Sequence, residues 1–271
     1  GSLGMGISKA KGMVLANRAA GIERRIFVLT GDGELQEGQL WESLGSAAHR
    51  DLGEIVAIVD HNKIQSDTWV DRVSRLGDVE AKFGAFGWHV SRCDGHDVAA
   101  IQRTFRALDA VHDRPKVVIA DTIKGKGVSF MEGGAPSRSG RQGGTAPSRS
   151  GRQDPAMKPE ELYGYHSAAP GEQDYIAGLQ ELLALANGLF DELGLGAVET
   201  ETRMRNPRRE PRNTENLIAA YERALVAQGE RHPRLLVLDA DLVKDCGLIS
   251  FAKRFPDRFV ECGIAEQDMV S

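Results

Sequence analysis

Residues 25–34 read RIFVLTGDGE and residues 54–62 read EIVAIVDHN. Each opens on a short apolar run rich in β-branched side chains and closes on small or polar turn residues. Runs this short predict buried strands. The same pattern recurs at His89–Cys93 and at Lys116–Ile123 (KVVIADTI). Helical stretches separate the strands: a small-residue helix over 5–20, then 40–49, a short one over 79–86, and 97–112, which Asp97 caps. Strands that are apolar throughout and alternate with helices predict an α/β fold, a parallel sheet with helices on both faces.

Outward from that core the pattern changes. Residues 132–160 have no apolar period and contain a near-duplication, APSRSGRQ at 135–142 and again at 146–153. Composition reads this as a flexible insertion, although Arg138, Arg141, Arg149 and Arg152 could also grip an anion. Residues 172–193 form a long helix with Tyr175, Leu179, Leu182, Leu183 and Phe190 near one face. Residues 196–212 read as a linker, since the part from Thr200 carries two prolines and five arginines. A second alternation follows: a helix from Asn213 or Thr214 to 228, a strand at 235–238, a helix at 248–254 and a strand at 258–262. The expected division is a first domain over 1–195, the linker, and the beginning of a second α/β domain over 213–271.

Composition narrows the function. The chain of 271 residues carries 34 basic and 39 acidic side chains, a formal charge of -5. That balance argues against a nucleic-acid partner and against a polybasic membrane anchor. No apolar run approaches the ~18 residues of a membrane helix. The three cysteines, Cys93, Cys246 and Cys262, lack CxxC spacing, so neither a disulfide framework nor a zinc site is expected, and the cytoplasm is the expected compartment. Glycine is in excess, 31 residues, as in chains whose backbone packs close to a ligand. The chain starts without methionine and stops just inside a helical stretch, and it reads as a fragment cut at both ends.

The chemistry concentrates at Gly31-Asp32-Gly33-Glu34, with Asn62 thirty residues beyond Asp32. One strand-helix-strand unit has about that length, so Asp32 and Asn62 fall at the carboxyl ends of two parallel strands, where open α/β sheets bind ligands. A carboxylate and an amide oxygen are hard donors that, with diphosphate oxygens, suit Mg²⁺ or Ca²⁺. Gly33 lets backbone approach a phosphate. Gly-Asp-Gly alone would equally describe an acidic turn; the spacing to Asn62 favours a cofactor site. The run GDGELQEG is not GxGxxG, and the chain has no GxxxxGK[ST].

Four stretches carry a resemblance: GDGELQEGQLWE (31–42), VDHNKIQ (59–65), TIKGKGVSF (122–130) and ECGIAEQDMVS (261–271). Together they resemble transketolase, a thiamine diphosphate enzyme. The resemblance implies transfer of a two-carbon ketol unit from a ketose to an aldehyde, with sugar or sugar phosphate substrates, thiamine diphosphate and Mg²⁺ or Ca²⁺ as cofactors, and a homodimer. Asp32, Asn62 and the carbonyl of Ile64 match the metal ligands. Gly31, Gly33 and Glu34 stand in the diphosphate turn, and Gly1 and Leu3 in the loop that lines the cofactor rings. Lys124 and His166 match a lysine and a histidine near the diphosphate and the reacting carbon, and Asp241 an aspartate near the thiazolium. Glu266 matches the glutamate that hydrogen-bonds the cofactor's pyrimidine, a role that calls for a buried, protonated carboxyl.

Some of these matches have plainer readings. Glu266 taken alone would pass for a first-turn helix acid, and His166 for an incidental loop histidine. Glu37 and Glu42 match acids of a proton-linked chain between two active sites, or else belong to a solvated helix face. The resemblance places each active site at the dimer interface, so Glu266 is expected far from Asp32 within one chain. Met5 and Ile218 depart from the family pattern. Ile218 stands, by ungapped counting, where a phosphate-gripping arginine is expected, unless Arg212 or Arg223 fills that role. The family's substrate histidines would precede Gly1 and its last domain would follow Ser271, so the chain alone is expected to be inactive. Two rivals remain: another thiamine diphosphate enzyme that acts on a 2-oxo acid, and a non-catalytic remnant.

Overall fold

The computed structural model describes residues 3–132, 163–166, 169–201 and 217–270. Expectations for Gly1, the arginines of the insertion, the linker from residue 202 and Arg212 lie outside the described residues. Helix α1 (Gly6–Ala19) leads into strand β1 (Ile26–Gly31), a 3-10 turn (Gly33–Gln36) and helix α2 (Gly38–His49). Strand β2 (Ile55–His61) is followed by the hairpin β3 (Ile64–Gln65) and β4 (Thr68–Trp69), then by the short helices α3 (Val70–Val73) and α4 (Val79–Ala85). Strand β5 (His89–Asp94), helix α5 (Val98–Leu108) and strand β6 (Lys116–Asp121) complete this half. Beyond the insertion come helices α6 (Glu172–Glu192) and α7 (Leu217–Arg231), strand β7 (Val237–Asp239), helix α8 (Ile249–Arg254), strand β8 (Phe259–Glu261) and helix α9 (Glu266–Val270).

Among the described residues the main sheet is parallel, in the order β1-β2-β6-β5. The two strands with unbroken apolar runs, β2 and β6, take the centre, where both faces must be covered. Successive side chains point to opposite faces. Ile55, Ala57 and Val59 of β2 accordingly meet Ile7, Val14, Leu40 and Leu44 of α1 and α2, whereas Val56 and Val118 meet Leu108 and Phe105 of α5. Helices thus flank both faces, as expected. The edge strand β1 buries Thr30 against the first layer but leaves Phe27 and Leu29 on the opposite face largely exposed.

Aromatic packing locks α2 to α4. Phe83 is fully buried, with its ring 5.5 Å from Trp41 and 5.8 Å from Trp88. Both indoles are satisfied: Trp41 Nε1 donates to Leu35 O at 2.6 Å and Trp88 Nε1 to Leu44 O at 3.1 Å. Asp97 caps α5 as expected, accepting from Ala99 N at 2.8 Å and Ala100 N at 3.0 Å.

Two features depart from the sequence reading. The β3–β4 hairpin and the 3-10 turn have no counterpart in it, because two- and four-residue elements are too short to show a period. On α6 much of the expected apolar face stays exposed, at Tyr175, Leu179, Leu182 and Phe190. The helix instead approaches through Gly178, where a β-carbon would lie 3.2 Å from Val128. Glu181 fixes it there by accepting from Ser129 N at 2.5 Å and Ser129 Oγ at 2.8 Å. Strands β7 and β8 pair in parallel as a separate two-stranded sheet, with Asp239 opposite Glu261.

Phe83→Ala should leave a cavity among three aromatic rings and cost roughly 3–5 kcal/mol. Urea denaturation followed by tryptophan fluorescence checks this, and a loss below ~1 kcal/mol would contradict the central role given to this cluster.

Candidate active site

The register of the main sheet decides what shares its carboxyl end. Gly31 pairs with Asp60, His61 with Asp121, and Asp94 with Asp121. The loops that leave these strands therefore meet at one cleft of about 940 Å³, lined by Leu3, Gly31, Asp32, Gly33, Glu34, Asn62, Ile64, Lys124, His166 and Ile264 among others. Asp32 and Asn62, expected at the ends of two parallel strands, follow adjacent ones.

The Asp32 carboxylate is buried, with 2% of the residue exposed. Its Oδ1 accepts from Gly33 N at 2.8 Å and its Oδ2 accepts from Lys63 N. Burial pushes the carboxyl up despite these donors. Asn62 Oδ1 accepts from Ile64 N at 3.0 Å, which folds the turn so that Ile64 also lines the cleft. The Ile64 carbonyl receives the Lys124 ammonium, with Nζ at 3.3 Å. That ammonium also lies 3.5 Å from Ser66 O and 3.2 Å from His166 Nδ1, in the field of Asp32, Asp60, Asp67 and Asp241. Burial lowers the Lys124 pKa and those carboxylates oppose the shift.

Glycine is required at two positions for room and conformation. A β-carbon on Gly33 would lie 2.6 Å from Gln65 Cβ and 3.2 Å from Ile264 Cδ1. Gly4, at φ +75°, would place one 2.7 Å from Glu37 Cβ. Glu34 secures this N-terminal loop, since its Oε1 accepts from Gly4 N and its Oε2 from Thr30 Oγ1, both at 2.8 Å. The carboxylate of Glu34 is thus already engaged in holding Leu3 over the cleft. Met5 directly precedes α1 as its N-cap.

The Glu261–Glu266 segment docks on the 3-10 turn of the same chain. Gln36 Oε1 accepts from Ile264 N at 2.9 Å, while Gln36 Nε2 donates to Ser74 O at 3.0 Å and to Gln65 Oε1. Nothing in the sequence singles out Gln36, because a neutral side chain inside ELQEG carries neither charge nor spacing to mark it. Glu266 is hydrogen-bonded to Glu37. This corrects the expectation that Glu266 lies far from the Asp32 loop within one chain: the Gln36 amide and the seat of Ile264 on Gly33 fold the segment back onto it. The expected burial of Glu266 is corrected as well. Glu266 is exposed, and the buried member of the pair is Glu37, whose carboxyl is pushed up to about 7 by burial and by the hydrogen bond and charge of Glu266.

The remaining sequence candidates are placed as follows. Asp241, at φ +63°, is buried and hydrogen-bonded to the side chains of Ser66 and Gln65. Its Oδ2 has no hydrogen-bond partner among the described residues, and burial raises its pKa. Glu42 is exposed on α2. Ile218 packs against Gly247, where a β-carbon would lie 2.8 Å from Ile218 Cγ2, and is absent from the cleft lining. Ile218 therefore gives no ground for choosing between phosphorylated and free substrates.

This geometry fits a diphosphate cofactor held through a cation. Asp32, Asn62 and the Ile64 carbonyl supply one carboxylate and two neutral hard oxygens, a set that leaves positions for diphosphate. The Lys124 ammonium on the Ile64 carbonyl marks where positive charge is favoured. Among the described residues no three His, Cys, Asp or Glu side chains gather as a metal cluster, so such a cation depends on the amide, the carbonyl and the cofactor.

The fold and cleft define an α/β protein of the cofactor-diphosphate class, and comparison with known proteins narrows the class. The family model for the transketolase thiamine diphosphate binding domain matches residues 1–163. A 6-deoxy-6-sulfo-D-fructose transketolase subunit from Clostridium sp. (strain MSTE9) is 41% identical over 133 residues, 49% of this chain and 48% of that protein. One subunit of the apulose-4-phosphate transketolase from Actinobacillus succinogenes is 39% identical over 133 residues, again 49% of this chain and 48% of that protein. Human transketolase is 30% identical over 276 residues, covering 100% of this chain and 40% of its own length. The chain belongs to the transketolase family and carries its thiamine diphosphate binding domain, and it spans less than half the length of each of these relatives.

No described helix is long and apolar enough to cross a membrane.

The Glu37–Glu266 pair sets a pH dependence. Because the folded-state pKa of Glu37 lies above its unfolded value, the folded chain holds an extra proton between the ordinary carboxylate range and about 7. Its stabilising contribution is complete on the acid side and is lost as pH rises through 7. Calorimetric melting from pH 5 to 8 should show a declining Tm that is flatter in Glu37→Gln. Parallel curves for the two proteins would refute the shared proton.

Proposed function

We propose that the chain provides the cofactor site of an enzyme that transfers a two-carbon ketol unit from a ketose to an aldehyde. The observation that carries this reading is the convergence of Asp32, Asn62, Ile64 and Lys124 on one cleft at the carboxyl end of the sheet, with Ile264, two residues before Glu266, also in its lining. Residues 1–195 serve in this reading as the diphosphate-binding part and residues 213–271 as the start of a pyrimidine-binding part.

Asp32, Asn62 and the Ile64 carbonyl would hold Mg²⁺ (or Ca²⁺), with Gly31 and Gly33 leaving space for the diphosphate. Thiamine diphosphate, when bound, supplies the carbon nucleophile and the electron sink. Lys124 offsets phosphate charge, and His166 beside it offers a nitrogen to the reacting oxygens. Glu266 hydrogen-bonds the pyrimidine ring, and Glu37 keeps a proton available at that carboxyl near neutral pH. Leu3, held by Glu34 through Gly4, covers the cofactor rings and excludes water. Asp241 lies at the thiazolium edge. A homodimer belongs to the same reading, with exposed Glu42 facing the second copy.

The relatives named for 6-deoxy-6-sulfo-D-fructose and apulose-4-phosphate support a sugar substrate with an anionic tail. The rival reading, action on a 2-oxo acid, is disfavoured by the ELQEGQ run after Gly-Asp-Gly and predicts CO₂ release from pyruvate.

Calorimetry of thiamine diphosphate with Mg²⁺ should show saturable binding that weakens at least ~10-fold, about 1.4 kcal/mol, in both Asp32→Asn and Gly33→Ala. Ketol transfer should follow the same order. Unchanged affinity in both variants, or CO₂ release without ketol transfer, would overturn the assignment.

A further inference from the structure

The geometry points to Glu261 as a positioning residue that, sharing one proton with Asp239, clasps together the two loops carrying Asp241 and Glu266. The functional part of this inference rests on the reading above, in which those two residues meet the cofactor.

Asp239 and Glu261 end the parallel strands β7 and β8 and face each other in register. Asp239 is buried and Glu261 partly so, and the two carboxyls are hydrogen-bonded to each other. Two carboxylates cannot share a hydrogen bond without a proton between them. The remaining bonds locate it. Glu261 Oε1 accepts two backbone donors, Asp241 N and Gly263 N, each at 2.9 Å. That oxygen is therefore the acceptor, which leaves the other to carry the proton toward Asp239. Asp239 in turn accepts from Leu242 N at 3.0 Å and from the backbone of Ala240 and Val243. One neutral carboxyl thus joins the loop after β7 to the loop after β8. The first loop needs such a restraint, because Asp241 holds left-handed backbone at φ +63°, whereas Gly263 takes φ +77° freely.

Burial and the neighbouring Asp239 push the Glu261 carboxyl up to about 8, which agrees with this assignment. Among the described residues, Asp241 on the first loop, Cys246 ahead of α8 and Cys262 after β8 lie in the field of the pair. Each gains negative charge as it titrates, so none relieves a doubly ionised pair. Above pH 8 the two carboxylates should repel and release both loops.

The test compares wild type, Glu261→Gln and Glu261→Ala in the full chain without cofactor. Glutamine reproduces the neutral carboxyl, with an oxygen for the two amides and a permanent donor to Asp239. Amide hydrogen exchange should show protection of Asp241 N and Gly263 N that falls at least tenfold in wild type between pH 7 and 9. Glu261→Gln should keep that protection throughout, and Glu261→Ala should lack it at every pH. In the active protein the alkaline limb of kcat near pH 8 should flatten in Glu261→Gln. Protection independent of pH in wild type, or lost in Glu261→Gln at pH 7 with native circular dichroism, would overturn the clasp. Should the alanine variant fail to fold, the glutamine variant alone decides. Exchange needs no thiamine diphosphate, so intact protection behaviour in a chain that does not bind the cofactor would refute the functional reading and leave the clasp standing.

Discussion

Parallel pairing of β1 with β2, Gly31 opposite Asp60, is the constraint on which the cleft depends. Side chains alternate along a strand, so a slip of one residue would turn the buried set Ile55, Ala57 and Val59 outward. The cost of exposing them pins the register. With the register pinned, Asp32 and Asn62 must leave the same end of the sheet on neighbouring strands. The bond from Asp32 N to Asp60 O at 3.2 Å continues the ladder one step past the strands, into the loops that line the cleft.

Carboxyls around this end fall into two groups. Asp121 is held ionised, at about 2, by bonds to Arg92 at 2.6 Å and 2.8 Å and to His61 at 3.0 Å. Glu37 and Glu261 are pushed the other way, toward about 7 and about 8, because each is desolvated by burial and faces a second carboxyl. Desolvation alone would raise all three; the neighbour decides the sign. Strands β2, β6 and β5 thus present fixed charge at this end, whereas the Glu37–Glu266 and Asp239–Glu261 pairs favour a protonated carboxyl.

That docking is polar. Gln36 meets Ile264 through an amide, and Asp241 meets Gln65 and Ser66 through hydrogen bonds. The apolar contribution is the Ile264 side chain against Gly33. Contacts of this kind orient groups closely while adding modest stability, since each polar group gives up water to make its bond. They suit a seam where a carboxyl must be aimed.

Much of the architecture was legible in the chain itself. The four strands, most helices and the Asp97 cap follow from short-range pattern, because burial on two faces demands unbroken apolar runs and a helix N-terminus demands a side-chain acceptor. The place of Asp32 and Gly33 in the cleft was readable for a similar reason: a buried strand that ends in Gly-Asp-Gly puts a tight turn at the carboxyl end of the sheet. Strand order was not legible, nor was the uncovered face of α6, since pairing partners lie up to sixty residues apart and no local period encodes them. The neighbours of a carboxyl were hidden too. Glu261 looks like an ordinary acid in sequence and Glu37 was marked only by the family resemblance; the fold, by withdrawing water and setting Asp239 and Glu266 against them, raises both carboxyls.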